Sequence, residues 1–148
     1  MSASHEDVVP LRVIGRRERI SFPEWDLHGV RAKVDTGAYS SVLDVAAYEL
    51  IEGEDGARVR LTISLSRRRP ECVLCVEEAV IKMVKVRNST GSQSLRPLIE
   101  PVVRMGDSTR KIRMTVSNRS RMRCRMLLGR QAIAGLFLVD VRAKYLLD

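Results

Sequence analysis

Apolar and polar residues alternate with a period of two along most of this chain, and its longest uninterrupted apolar runs span only a few residues. That period belongs to half-buried strands rather than to helices, so the pattern predicts many short strands. Residues 11–14 end at Gly15, and residues 18–22 end at Pro23. Val30, Ala32 and Val34 alternate with Arg31 and Lys33, forming a strand that runs directly into Asp35. After an apolar stretch over residues 41–51, the Gly53-Glu54-Asp55-Gly56 segment reads as a turn. Val59, Leu61, Ile63 and Leu65 then alternate with polar partners until the Arg67-Arg68-Arg69-Pro70 run breaks the strand. Residues 72–87 and 95–105 read as two long strands, joined by a polar hairpin tip over residues 88–94. Gly106-Asp107 turns the chain into a strand over residues 111–116. Arg119, Arg121, Arg123 and Arg125 alternate with Met122, Cys124 and Met126, giving one basic and one apolar face. An apolar strand ends at Gly129, residues 131–134 suit one helical turn, and residues 136–141 and 145–147 read as closing strands. The whole is an all-β pattern, suited to a small barrel or sandwich.

Composition narrows the picture. The 148 residues, 45% hydrophobic, suffice for one compact core. The expected organisation is a flexible N-terminal arm, residues 1–10, and one domain over 11–148. No stretch approaches the roughly 20 apolar residues of a membrane span, and the N-terminus lacks the pattern of a secretory signal. A cytoplasmic location and no membrane partner are therefore expected. Cys72, Cys75 and Cys124 make an odd count, which argues for reduced thiols rather than a disulfide framework. The net charge of +8 favours acidic partners, either a nucleic acid or a Glu-rich peptide.

The candidate chemistry centres on Asp35-Thr36-Gly37-Ala38. A strand delivers the carboxylate, Thr36 offers a hydroxyl to brace the loop, and Gly37 lets the backbone turn and be approached. The same triplet also occurs in turns where an aspartate only bonds its own backbone. A second segment raises the specificity: Leu127-Leu128-Gly129-Arg130 closes an apolar strand. Together the two segments resemble the signature of retropepsin-like aspartic proteases. More narrowly, Val13-Ile14-Gly15-Arg16-Arg17-Glu18, Ala32-Lys33-Val34-Asp35, Leu95-Arg96-Pro97-Leu98-Ile99, Arg125 to Arg130 and Phe137-Leu138-Val139-Asp140 resemble its bacterial RimB-like branch, often labelled ATP-dependent zinc proteases.

The resemblance implies an acid-protease fold: a closed or partly closed β-barrel with a flap hairpin and at most one short helix. It implies that Leu127, Leu128, Gly129 and Arg130 pack beneath the loop carrying Asp35. It further implies that a hairpin closes over the substrate, for which Asn88, Ser89, Thr90, Gly91 and Ser92 are the candidate tip. Each chain supplies one catalytic aspartate, so Asp35 must meet its own copy about a twofold axis, and a homodimer becomes a mechanistic requirement. Two carboxyls about 3 Å apart share one proton and so supply base and acid together. The chain departs from the branch after its motif, where Tyr39, Ser40 and Asp44 stand. With Tyr39 in place of an acidic residue, Asp44 or Asp140 is the expected partner of Arg130. Members of the branch are often encoded near RimK-type ATP-grasp ligases that attach glutamate to proteins. This implies a peptide or protein substrate that is acidic or glutamylated.

No cofactor and no metal are expected. The chain has no His-Glu-x-x-His, its histidines are His5 and His28, and Cys72 and Cys75 are too strand-like to form half of a metal site. A phosphate-binding Gly-rich loop is also missing. Two other readings compete with a protease: a catalytically silent peptide-binding module of the same fold, and a basic nucleic-acid-binding β-barrel. The second is disfavoured because only 4% of the residues are aromatic and none forms a stacking pair on a basic strand. The Arg119 to Arg125 ladder suits either a groove for acidic substrate or a solvated edge.

Overall fold

The computed structural model describes residues 10–87, 90–118 and 124–148. The proposed arm up to residue 9 with His5, the tip residues Asn88 and Ser89, and the ladder residues Arg119, Arg121 and Arg123 lie outside the described residues.

Among the described residues, fourteen short strands follow the alternating pattern, here numbered in chain order. They are β1 (Arg12–Ile14), β2 (Arg17–Phe22), β3 (Leu27–Asp35), β4 (Ser41–Asp44), β5 (Ala47–Gly53), β6 (Gly56–Ser64), β7 (Val73–Ala79), β8 (Lys82–Arg87), β9 (Gln93–Ile99), β10 (Val102–Met105), β11 (Ser108–Lys111), β12 (Met114–Ser117), β13 (Met126–Gly129) and β14 (Phe137–Val139). One α-helical turn, α1 (Arg130–Ile133), and a 3-10 turn at Pro23–Trp25 complete the set. Nine strands form one sheet in the order β11-β10-β2-β3-β13-β4-β12-β9-β8, β5-β6-β7 form a second, and β1 pairs in parallel with β14. The large sheet ends in β11 on one side and β8 on the other, so the all-β fold is open rather than a closed barrel.

Burial obeys the period of two. Val59, Leu61 and Ile63 of β6 are buried, as are Ile20 and Phe22 of β2 and Val30 and Ala32 of β3. All of them join one cluster with Leu43, Met114, Val116, Met126 and Leu128, so the three-stranded sheet packs on the large one around a single core. Trp25 ties the two layers together. It stacks on Phe22, and its indole N–H donates to Glu78 of β7 at 2.7 Å.

The structure corrects three boundaries. The expected long strand over residues 72–87 breaks at Val80-Ile81, where successive amides bond to different sheets. Val80 N–H donates to Ala57 and Ile81 N–H to Leu98. The chain therefore changes layers there without any loss of strand-like sequence. The strand over 95–105 breaks at Pro101, which has no N–H to offer a ladder. Residues 145–147 form no strand either. The amides of Leu146 and Leu147 instead donate to the carboxylate of Glu18, at 2.9 and 3.1 Å.

Candidate active site

Asp35 is the last residue of β3, and Gly129 is the last of β13. The two strands run parallel, with Met126 level with Ala32 and Gly129 level with Asp35. Both chains therefore leave the sheet at the same edge, where the loop 36–40 must turn between them. Gly37 N–H donates to Asp35 Oδ1 at 3.1 Å, and Ala38 N–H to the Asp35 carbonyl at 3.3 Å. The far side of the loop is pinned from α1. Arg130 N–H donates to the Ala38 carbonyl at 2.9 Å, and Gln131 N–H to the Tyr39 carbonyl at 3.0 Å. Gly129 N–H donates to the hydroxyl of buried Ser41 at 3.0 Å.

The close approach explains the glycine. A Cβ on Gly129 would lie 2.5 Å from the Ser40 carbonyl oxygen and 2.7 Å from that of Tyr39. Its backbone angles, φ −79° and ψ 168°, are ordinary, so space and not conformation demands glycine here. Leu128 is buried and Leu127 half-buried, so the strand beneath the loop anchors into the core. Gly129 and Arg130 lie against the loop that carries Asp35, whereas Leu127 and Leu128 pair with the strand residues Lys33 and Val34.

Arg130 has a different partner from those expected. Its guanidinium donates to the Thr36 carbonyl at 3.3 Å and lies over the Tyr39 ring, 5.6 Å from the centroid. Tyr39 thus supplies a cation–π face where an acidic residue was sought. Asp140 is instead gripped by Arg142 at 3.0 and 3.1 Å. Hydrogen bonds from the Arg142 side chain and backbone hold the Asp140 carboxyl below its usual range. Asp44 sits near Arg125 and opposes the lowering of that arginine's pKa. Thr36 reaches Arg130 through its carbonyl, and its residue is exposed.

The Asp35 carboxylate is half-buried at the mouth of this loop and, among the described residues, forms no ion pair. A carboxylate so placed can accept or donate a proton to a neighbour in front of it. The β8–β9 hairpin, with Arg87 opposite Gln93, carries exposed Thr90, Gly91 and Ser92 at its described tip. Gly91 takes φ +85°, as a tight turn requires.

Sequence reasoning quoted Gly15 and Glu18 only as part of a matching segment and gave neither them nor Ser41 a role. Glu18 is fully buried, and its carboxylate accepts N–H groups from Gly15 (2.7 Å), Leu146 and Leu147. Gly15 passes so near the 143–144 backbone that a Cβ would lie 2.4 Å from the Ala143 carbonyl oxygen. The Arg16 carbonyl in turn accepts the Val34 N–H at 2.9 Å, one residue before Asp35, so this knot of chain braces the strand that carries Asp35. The signal was present: Glu18 falls in phase with Ile20 and Phe22, and Ser41 with Leu43, so polar residues occupy inward positions.

The crystal structure of Lpg0085, a Legionella pneumophila protein of unknown function, superposes with a TM-score of 0.77 at 25% identity, covering 93% of this chain and 98% of that one. Among curated proteins, the chain is 28% identical over 128 residues to a probable alpha-L-glutamate ligase of Shewanella pealeana, and 30% identical to one of Parasynechococcus marenigrum. Each alignment covers 86% of this chain and 28% of the ligase, so the chain spans under a third of the length of these relatives. Residues 13–148 match the family model described as retropepsin-like aspartic endopeptidase RimB, and with Asp35 and Gly129 held level at one sheet edge, the chain belongs to the RimB-like family.

Proposed function

We propose that this protein is an aspartic endopeptidase, active as a homodimer in which Asp35 meets its copy across a twofold axis. The observation that carries the reading is the single half-buried Asp35, held by Gly37 N–H at the mouth of a loop pinned to Gly129 and Arg130. One carboxylate alone cannot both activate water and protonate the carbonyl oxygen. Two that face each other share one proton, and their apparent pKa values belong to the pair. The ionised member takes a proton from water as it attacks the peptide carbonyl, and the protonated member donates to the developing oxyanion.

A surface suited to dimerisation lies close by. Val13 of β1 is level with Leu138 of β14, and these side chains are 45% and 56% exposed. Leu11 and Val141 are exposed beside them. An apolar patch of this kind, one short turn from the knot that braces Val34, favours an isologous contact near Asp35. The Thr90 to Ser92 hairpin serves in this reading as the flap over the bound peptide. The substrate is an acidic, glutamylated protein: relatives of this domain occur within probable glutamate ligases, and a net charge of +8 draws such a tail.

The test is a cleavage assay on a glutamylated peptide. Asp35→Asn is expected to lower the rate about 10³-fold or more. Adding excess Asp35→Asn protein to the wild type is expected to suppress activity, because mixed dimers hold a single acid. Full activity of the variant, or cleavage by a sedimenting monomer, would overturn the reading. Retained peptide binding with no cleavage by the parent would favour the silent module.

A further inference from the structure

Away from Asp35, the start of β3 opens onto a cleft of about 460 Å³ whose walls include Arg31, Arg67, Arg68 and Arg125. A smaller hollow of about 300 Å³ shares Arg67 and Arg125 and adds Asp44, so the two form one groove. Among the described lining residues, four arginines thus stand with one carboxylate, that of Asp44. Burial, then the nearby Arg67 and Arg31, lower the pKa of Arg125, while Asp44 works in the opposite direction. Arginines gathered on one wall attract an anion, which gains Coulomb energy by sitting among them.

The lining also selects among anions. Leu27 and Val30 are buried against it, giving an aliphatic floor that fits the methylene stems of acidic side chains. No aromatic side chain is among the described lining residues, so nothing offers a nucleobase a stacking face. Arginine, with its planar fork, matches carboxylates in pairs. Arg31 precedes Asp35 by four residues, or about 13 Å of strand, and with Lys33 it shares the strand face of Asp35.

We propose that the Arg31–Arg67–Arg68–Arg125 groove is an anchoring site for a carboxylate-rich peptide tail, separate from the catalytic loop. Its assignment to the substrate rests on the endopeptidase reading above, whereas its capacity to bind does not. A tail held here raises the local concentration of the adjoining peptide bond at Asp35, so cleavage gains from acidic residues well beyond those at the scissile bond.

The experiment uses full-length Asp35→Asn protein and a fluorescein-labelled hexaglutamate peptide, read by anisotropy. Saturable binding that weakens with salt is expected. Arg31→Glu and Arg68→Glu, both at exposed positions, are each expected to weaken it about tenfold, and Arg104→Glu, exposed on β10, less than about threefold. Equal losses from Arg104→Glu would reduce the effect to overall charge and overturn the site. So would tighter binding of a hexathymidylate through the same arginines. If binding depends on Arg31 and Arg68 but wild-type protein never cuts the peptide, the groove stands and the endopeptidase reading fails. If cleavage occurs and binding ignores both arginines, the groove fails and the endopeptidase stands.

Discussion

Gly129→Ala tests the packing on which the loop carrying Asp35 depends. The added methyl would meet the Ser40 carbonyl oxygen at 2.5 Å, where ordinary contact begins at 3.4 Å. Neither neighbour is a flexible side-chain end; both contacts are backbone carbonyls. The loop must therefore retreat, and its retreat stretches the bonds from Arg130 N–H to Ala38, from Gln131 N–H to Tyr39 and from Gly129 N–H to Ser41. Overpacking costs about 1–3 kcal/mol, and each weakened hydrogen bond adds up to about 1 kcal/mol, so a loss of about 2–4 kcal/mol is expected. A shift of about 1 Å at Asp35 should also lower turnover about 100-fold. Urea denaturation measures the first effect, and the peptide assay the second. Gly135→Ala is the control: its methyl would meet nothing within 4 Å, and only its φ of +82° opposes a side chain. That variant should lose about 1–2 kcal/mol and keep its activity. A Gly129→Ala protein within about 0.5 kcal/mol of wild type and fully active would refute the steric argument.

Three further outcomes follow from the same contacts. Glu18→Ala should cost about 3 kcal/mol or more, because three N–H groups lose a charged acceptor, and hydrogen exchange at Leu146 and Leu147 should accelerate before that of the core strands. Trp25→Phe keeps the stack on Phe22 but removes the bond to Glu78, for a loss of about 1–2 kcal/mol; a double-mutant cycle with Glu78→Ala should show the two losses to be non-additive. Asp140→Asn should lower Tm slightly at pH 7. Because the folded pKa of Asp140 lies below its ordinary 3.8, this stabilisation is present above that value and vanishes as pH falls through the depressed one, so the two melting curves should converge in acid.

The alternating pattern by itself determined the strands of the core, since inward positions such as Val59, Leu61 and Ile63 are apolar whatever they meet. It also set Asp35 at a strand end, with a glycine two residues on and the Leu127 to Gly129 strand as the expected support. Which strands become neighbours is a different matter. Residues 72–87 carry one unbroken strand-like pattern, yet the chain leaves one sheet for another at Val80-Ile81, because the acceptors at Ala57 in β6 and Leu98 in β9 belong to different sheets. The partner of Arg130 followed the same rule: a carbonyl and an aromatic ring at the loop took the place that Asp44 or Asp140 was expected to fill. Glu18 makes the contrast sharpest. Its inward phase marks it as anomalous in sequence, but the amides that satisfy its charge lie 128 and 129 residues away and meet it only once the chain is folded. Local periodicity decides which face of a strand is buried; long-range hydrogen bonding decides what that face, and each buried charge upon it, will touch.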